Sequence, residues 1–244
     1  MKQNKYDDAI FFEKYSHMAR SEKGLEGAGE WHELQKMLPD FKGKTVLDLG
    51  CGYGWHCVYA ANNGASSVVG IDISQKMIDV AKSKTTVPNV QYFCTAIEDM
   101  DFESEHFDVI LSSLALHYIK DFDMVCKSVY SLLKAGGSFV FSCEHPIFTA
   151  EGKQEWIYNS EGDIAYWPVD NYFFDGERHA NFLGEHVVKY HRSLTTYLRT
   201  LMKNGFSISD FCEPQPSAEM MNIPGMKDEL RRPMMLLISA RKQS

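Results

Sequence analysis

The sequence lacks the features by which secreted, membrane-spanning and disulfide-stabilised proteins are recognised. No stretch approaches the roughly 20 apolar residues that a membrane-spanning helix needs, and the first eight residues, M-K-Q-N-K-Y-D-D, have no apolar core of the signal-peptide type. The six cysteines of the 244-residue chain form no C-x-x-C pair and mostly lie in apolar runs, as buried free thiols do. We therefore expect a cytoplasmic protein that does not associate with a membrane.

Clusters of positive charge and metal-binding patterns are also missing. The chain has 25 basic and 33 acidic residues and a net charge of −8, and Arg231-Arg232 is the one basic pair that stands out. Nucleic acid is therefore not an expected partner. His186 and His191 are five residues apart on a predicted strand and would point to opposite faces of it, so we predict no metal site.

The segment 46–54, V-L-D-L-G-C-G-Y-G, is the most informative part of the sequence. An apolar stretch typical of a buried strand breaks into three glycines at alternate positions, and glycine lets a loop approach a ligand closely. Dinucleotide-binding loops follow the spacing G-x-G-x-x-G. Here the third glycine comes one residue early and Trp55 takes its place, which favours a nucleoside ligand without a pyrophosphate.

Strands and helices alternate after residue 44, which predicts a mostly parallel sheet with helices on both faces. The predicted strands cover 44–49, 67–71, 90–94, 107–112, 138–143, 206–212 and 233–240, and the predicted helices cover 55–63, 74–83, 121–133 and 193–203. Residues 6–38 have the apolar spacing of two helices joined at Gly24–Gly29. Residues 145–190 are rich in aromatics, and short alternating stretches at 165–174 and 186–192 predict a β-hairpin or small antiparallel flap.

Acidic residues stand at the ends of two predicted strands. Asp72 closes the second strand, 20 residues after Gly52, where a carboxylate can accept both hydroxyls of a ribose; the alternative is that it caps the helix that starts at Ser74. Asp48 lies within an apolar strand end, where an unpaired carboxylate is costly. It either binds a cationic group of the ligand or accepts hydrogen bonds from loop amides.

The motifs taken together resemble those of class I S-adenosylmethionine-dependent methyltransferases, particularly the small-molecule enzymes of the ubiquinone/menaquinone-biosynthesis type. The resemblance covers residues 40–145 and is carried by five motifs in the family's order: the glycine segment 46–54, G-I-D-I-S at 70–74, A-I-E-D-M at 96–100, F-D-V-I-L-S-S-L-A-L-H-Y-I at 107–119 and L-K-A-G-G-S-F-V-F-S at 133–142. It implies a Rossmann-like α/β fold with a seven-stranded sheet. It also implies S-adenosylmethionine as cofactor and S-adenosylhomocysteine as product.

The resemblance also implies roles for individual residues. Those expected to contact the cofactor are Gly50, Cys51 and Gly52 at the methionine moiety, Asp72 at the ribose, Ile73, Met77, Ala96, Ile97 and Glu98 at the adenine, and Ser112 and Ser113 beside the sulfonium. Many relatives have an aspartate where this chain has Ala96, so the adenine amino group would be bound by backbone or by Glu98. Tyr15 and Arg20 are candidates for the cofactor carboxylate, although Arg20 also fits a helix surface.

Two histidines are candidates for a general base, should the acceptor need one. His117 follows the fourth strand and His145 follows the fifth. Each could equally be a hydrogen-bonded wall of the pocket. We favour His145 because it opens the aromatic segment that we expect to cover the acceptor.

The predicted organisation has four parts: an N-terminal helical cap (1–40), a cofactor-binding core (41–144), a substrate-covering insertion (145–192) and the C-terminal part of the sheet (193–244). The predicted reaction is an in-line transfer of a methyl group to a small-molecule acceptor. Two alternatives stay open at this point. One is a regulatory protein that binds S-adenosylmethionine without catalysis, and the other is an NAD(P)-dependent oxidoreductase, which the glycine spacing disfavours.

Overall fold

The computed structural model describes residues 2–243. The strands are β1 (Thr45–Leu49), β2 (Ser67–Asp72), β3 (Val90–Cys94), β4 (Phe107–Ser113), β5 (Leu133–Glu144), β6 (Ile157–Tyr158), β7 (Ile164–Tyr166), β8 (Gly176–Phe182), β9 (Glu185–His191), β10 (Phe206–Cys212) and β11 (Met235–Lys242). The α-helices are α1 (Ala9–Ser16), α2 (Ala19–Lys23), α3 (Trp31–Met37), α4 (Trp55–Asn62), α5 (Gln75–Lys84), α6 (Phe122–Leu132), α7 (Pro146–Thr149), α8 (Leu194–Lys203) and α9 (Met226–Glu229).

Seven strands form one sheet in the order β10-β11-β5-β4-β1-β2-β3. β1 to β5 are parallel to one another, whereas β11 runs antiparallel to both β5 and β10. The predicted seven-stranded, mostly parallel Rossmann-like sheet is therefore confirmed. The order reverses at β1 and β4, so the carboxyl ends of these strands border the crevice where open sheets bind ligands.

The sheet is covered on both faces, which explains why its central strands are apolar without alternation. In β1, Val46 and Leu47 are both fully buried although they point to opposite faces. Val46 packs in one apolar cluster with Ile78 of α5, and Leu47 packs in another with Val125 of α6. The two layers of helices thus hold the strand ends, and the loops that follow them, in fixed positions.

Five helices begin at side-chain caps, among them α5, α6 and α8. The hydroxyl of Ser74 accepts a hydrogen bond from Met77 N at 3.2 Å at the start of α5. The carboxylate of Asp121 caps α6 and the hydroxyl of Ser193 caps α8 in the same way. These caps satisfy N–H groups that have no partner within the helix.

The N-terminal cover and β5 differ in detail from the prediction. Residues 6–38 form three short helices, α1 to α3, with 3₁₀ turns at Lys5–Asp7 and Gly24–Gly27. β5 begins at Leu133 and includes Gly136 and Gly137, whereas the strand was predicted to begin at residue 138. The pairing of β5 with β4 shifts at Phe107/Val109, so the two glycines lie in an irregular part of the strand.

The insertion between β5 and α8 contains two hairpins, β6–β7 and β8–β9. The predicted strand at 186–192 corresponds to β9. The predicted strand at 165–174 is largely wrong, because β7 ends at Tyr166 and residues 167–175 form turns and irregular backbone. Within residues 2–243, no helix is long and apolar enough to cross a membrane.

Candidate active site

One large cavity, of about 880 Å³, opens at the carboxyl ends of the parallel strands. Residues at or just beyond the ends of β1, β2, β3, β4 and β5 all contribute to its wall, among them Gly50, Asp72, Ala96, Ser113 and Glu144. The N-terminal segment, the β8–β9 hairpin and the segment 214–235 form the rest of the wall. We call the wall made by the glycine loop, the ends of β2 and β3, Tyr15 and Arg20 the cofactor half, and the remainder the acceptor half.

The glycine loop is fixed by backbone hydrogen bonds and by two close approaches. Gly50 N and Cys51 N both donate to Ile71 O, at 2.8 and 2.9 Å. A Cβ atom at Gly50 would lie 2.4 Å from Cβ of Ala115, whereas a Cβ at Gly52 would meet no atom within 4 Å. Both glycines have positive φ, 73° and 52°. Gly50 thus brings the loop against the end of β4, and Gly52 keeps a stretch of cavity wall bare.

Asp72 links this loop to the start of α5. Its two carboxylate oxygens accept hydrogen bonds from Gly52 N and Ser74 N, both at 2.9 Å. Burial raises the pKa of Asp72 to about 6. Because each carboxylate oxygen can accept a second hydrogen bond, Asp72 still has acceptor capacity where it lines the cavity.

The other residues expected at the adenine also line the cofactor half. Ile73 and Met77 come from the β2–α5 connection, and Ala96, Ile97 and Glu98 follow β3. Thr95 N donates to Asp72 O at 2.8 Å, which holds the two connections side by side. Apolar side chains from two loops therefore face the same part of the cavity.

Tyr15, Arg20 and Ser113 line both the cavity and a side cavity of about 50 Å³ beside it. Arg20 donates to Glu30, which is fully buried and also accepts a hydrogen bond from Ser113 Oγ at 3.1 Å. Glu30 compensates the charge of Arg20 and fixes its position. No local sequence pattern indicated this ion pair, because Arg20 lies on α2 and Glu30 immediately precedes α3.

Three of the expected cofactor residues lie outside the main cavity. Asp48 is buried beneath the glycine loop, where Cys57 Sγ donates to it at 3.3 Å and burial raises its pKa to about 7. Ser112 points away from the cavity and donates to Leu49 O at 2.8 Å. Cys51 lines the side cavity. Contact of Asp48 with a ligand would therefore be indirect, through the loop above it.

His117 and His145 have different surroundings. His117 lines the acceptor half, and its Nδ1 accepts a hydrogen bond from Glu144 N at 3.3 Å. His145 is buried outside the cavity wall: its Nδ1 accepts from Ile147 N at 3.0 Å, and its Nε2 lies 2.7 Å from Oε1 of Glu213. Of these two candidates, His117 is the one that lines the cavity, and a role of either histidine in catalysis stays a prediction.

Most aromatics of the insertion do not have the role that their number suggested, although Phe182 and Tyr190 line the cavity. None of Phe148, Trp156, Tyr158, Tyr166, Trp167, Tyr172, Phe173 and Phe174 is among the residues that line the cavity. Phe148 and Trp167 instead stack at 5.0 Å, and the guanidinium of Arg232 lies 4.6 and 4.3 Å from their ring centroids. This cluster holds the segment around α9 against the insertion.

Comparison with known proteins agrees with this geometry. A methyltransferase domain model matches residues 47–141. The crystal structure of a Listeria monocytogenes protein assigned to the S-adenosylmethionine-dependent methyltransferases is 59% identical, with a TM-score of 0.87, and the match covers 91% of this chain and 100% of that one. An S-adenosylmethionine-dependent methyltransferase from Mesorhizobium loti is 41% identical, with a TM-score of 0.83 and coverage of 89% and 100%.

This chain belongs to the S-adenosylmethionine-dependent methyltransferases. An uncharacterized protein of Haemophilus influenzae is 32% identical to this methyltransferase over 244 residues, which cover 97% of this chain and 96% of that one. The ubiquinone biosynthesis O-methyltransferase of Coxiella burnetii is 37% identical over 111 residues, but the match covers 45% of this chain and 47% of that one. The predicted resemblance is confirmed, as is S-adenosylmethionine as the cofactor.

The cofactor half of the methyltransferase presents bare backbone beside polar side chains. The open space over Gly52 leaves room for a ligand against the backbone. The carboxylate of Asp72 and the guanidinium of Arg20 place a hydrogen-bond acceptor and a cation at the cavity wall. Trp55 Nε1 and His56 Nε2, both from the lining of the side cavity, are buried and have no hydrogen-bond partner among residues 2–243.

Sequence reasoning missed Glu144 and Lys189 of this methyltransferase. Glu144 ends β5 as Asp72 ends β2, and it lines the cavity. Because strand side chains alternate between faces, attention to the position before His145 could have found it. Lys189 is 2% exposed and binds Glu144 across 45 residues of sequence, so no local pattern could have identified the pair.

Proposed function

We propose that this methyltransferase transfers a methyl group to a small-molecule acceptor that binds in the same cavity as the cofactor. The main support for this proposal is a single cavity of about 880 Å³ with two sets of lining residues. One set consists of the residues expected to contact S-adenosylmethionine, and the other comes from the insertion and the C-terminal segment. Small-molecule sites have volumes of roughly 300–1,000 Å³. The cavity is therefore of a size to receive two small molecules side by side.

In this proposal, Asp72 accepts hydrogen bonds from the ribose hydroxyls, and Arg20 binds the carboxylate of the methionine moiety. Ile73 and Met77 pack on one side of the adenine, and Ala96 and Ile97 on the other. The bound cofactor supplies the electrophilic methyl group. The protein's contribution is to hold the acceptor within about 3–3.5 Å of that group and in line with the bond that breaks.

The N-terminal segment supports a closed site for a small acceptor. Asp7 accepts hydrogen bonds from Ser74 Oγ at 2.6 Å and from Lys76 N at 3.1 Å, which ties the segment to the cofactor half. Gln3 exchanges two hydrogen bonds with the backbone of Val188, at 2.8 and 3.2 Å, which ties it to the β8–β9 hairpin. One segment thus spans both halves of the cavity and restricts access to it.

A direct test is an acceptor screen with the full-length methyltransferase and S-adenosylmethionine, in which release of S-adenosylhomocysteine is measured. We expect release with a subset of small acceptors and none with folded proteins or RNA. Release that depends on a protein or RNA acceptor would contradict the proposal. Calorimetric binding of S-adenosylhomocysteine in the same preparation controls for a competent cofactor site.

A further inference from the structure

The acceptor half contains a buried, fully connected group of polar side chains where the insertion meets the end of β5. Lys189 Nζ donates to Glu144 Oε1 at 2.5 Å and to Gln154 Oε1 at 2.7 Å. Gln154 Nε2 donates to the other carboxylate oxygen, Oε2 of Glu144, at 2.6 Å. Three segments of the chain therefore hold one carboxylate in place.

Such a group is costly to bury and gives little stability in return. An ion pair removed from water often stabilises a protein no better than apolar residues of the same volume. Here Lys189 is 2% exposed and also lies 5.2 Å from the ring centroid of Phe182. A carboxylate that is fixed this firmly and still lines the cavity has the properties of a ligand-binding group.

His117 presents a hydrogen-bond donor beside that carboxylate. Because Nδ1 accepts a hydrogen bond from Glu144 N, the ring hydrogen of neutral His117 is on Nε2. Burial lowers the pKa of His117 to about 4, so the imidazole is neutral at neutral pH. The neighbouring Lys189 holds the pKa of Glu144 below its usual range, so the carboxylate is ionised there.

The donor and the acceptor are separated by a gap of the size of one oxygen atom. His117 Nε2 lies 3.9 Å from Glu144 Oε1, too far for a direct hydrogen bond. An oxygen about 2.8 Å from each atom would make an angle of about 90° between them. A hydroxyl group could accept from Nε2–H and donate to the carboxylate at once.

We propose that His117 and Glu144 recognise a hydroxyl group of the methyl acceptor, which makes the acceptor an alcohol or phenol. This inference rests on the proposed function. Other common groups match the pair less well: an ether or carboxylate has no hydrogen for Glu144, and an ammonium group has no lone pair for His117 Nε2–H. The apolar wall beside the pair, which includes Phe182, Val187 and Met234, suits an apolar body on that acceptor.

The first test compares matched acceptors. The full-length methyltransferase is saturated with S-adenosylhomocysteine, so that no methyl transfer occurs, and is titrated with pairs of alcohols or phenols and their O-methyl ethers, for example 2-naphthol and 2-methoxynaphthalene across a set of ring and chain sizes. We expect the hydroxyl members to bind at least about 10-fold more tightly than their ethers, because the ethers cannot donate a hydrogen bond to the charged carboxylate. Equal affinities within the pairs that bind, or activity in the acceptor screen confined to hydroxyl-free amines or carbon acceptors, would overturn the inference and leave the proposed function standing.

Release from no compound at all, in protein that binds S-adenosylhomocysteine, would count against the inference and the proposed function together. The second test therefore uses the best hydroxyl compound and the variant Glu144→Gln. We expect kcat/KM to fall about 10- to 100-fold, as for a lost hydrogen bond to a charged group, and the Kd of S-adenosylhomocysteine to change less than about twofold.

Glu144→Gln leaves the buried Lys189 without its counterion and could destabilise the fold. The double variant Glu144→Gln/Lys189→Met removes that charge too, and both Glu144 variants should bind hydroxyl compounds and their ethers with similar affinity. Asp108→Asn is the matched control, because Asp108 pairs with Lys134 at 2.8 Å at the amino end of β4, away from the cavity. If the Glu144 variants lose stability but keep the preference, the group is only structural and the inference is wrong.

Discussion

The two halves of the cavity are built in different ways. The cofactor half is made by short contiguous segments, each at the end of a strand, and much of its geometry is set by the backbone of Gly50 and Gly52 and by Asp72. The acceptor half is made by side chains from distant segments, such as Glu144 and Lys189. The cofactor half is specified by local sequence, whereas the acceptor half depends on how the insertion packs against the sheet.

The difference is clearest for the residues of each half that were expected to line the cavity. Asp72 and Ile97 follow strands and line the cavity, as their motifs suggested. The aromatics of the insertion were expected to line it too, yet Phe148 and Trp167 hold Arg232 instead. A count of aromatic residues indicates that something apolar is covered, but it does not distinguish a ligand from a neighbouring segment of the chain.

The largest expected effect tests whether stability depends on the backbone conformation and close packing of the glycine loop in the cofactor half. Gly50→Ala forces a non-glycine residue to a φ of 73° and places Cβ 2.4 Å from Ala115, so we expect the free energy of unfolding to fall by about 2–5 kcal/mol. Gly52→Ala, with open space around its Cβ, should cost about 1–2 kcal/mol from conformation alone. Urea denaturation of both variants measures the difference. Equal losses would show that close packing at Gly50 does not matter.

The next effect concerns the side-chain carboxylate of Asp72, which is proposed to bind the ribose of the cofactor. We expect Asp72→Ala to weaken binding of S-adenosylhomocysteine by about 1–3 kcal/mol, as for a lost hydrogen bond to a charged group. Isothermal titration calorimetry measures it. Asp72→Asn keeps one acceptor oxygen for the loop and should lose less. Unchanged affinity in the alanine variant would mean that Asp72 only fixes Gly52 and Ser74.

The sequence predicted most of the sheet and most residues of the cofactor half because both depend on local patterns. Apolar runs mark the strands, and Gly50, Asp72 and Ile97 lie where strand ends must meet. The sequence could not predict that Asp48 lies under the loop, since one residue of alternation decides which side of the strand it occupies. The pairing of Lys189 with Glu144, and of Arg20 with Glu30, depends on tertiary packing that no local pattern records.

A smaller effect tests the aromatic cluster that closes the acceptor half. In Arg232→Met, the cation over Trp167 and Phe148 is lost together with its two hydrogen bonds to Glu229, at 2.6 and 3.0 Å. We expect the free energy of unfolding to fall by about 1–2 kcal/mol and limited proteolysis between residues 213 and 234 to become faster, with cofactor affinity unchanged. Arg199→Met is the matched control, because Arg199 is exposed on α8. If both variants behave alike, Arg232 does not fasten this segment.

The smallest expected effect is the net dependence of the free energy of unfolding on pH. Buried groups with raised pKa values and buried groups with lowered pKa values have opposite effects on it. Asp48 has its pKa raised to about 7 in the folded state, so its contribution to stability falls as the pH rises from about 4 to 7. His117 has its pKa lowered to about 4, so its contribution grows as the pH rises from about 4 to 6.5. Asp72 and His56 form a second opposed pair, with pKa values of about 6 and about 4.

We therefore expect the wild-type free energy of unfolding to change by less than about 1 kcal/mol between pH 4.5 and 6.5. The single variants should separate the two contributions. Relative to wild type, Asp48→Asn gains stability as the pH rises, because the contribution that declines with pH is gone. His117→Gln loses stability over the same interval for the converse reason. Urea denaturation at half-unit pH steps measures both slopes, and slopes of the same sign would show that burial does not shift the two pKa values in opposite directions.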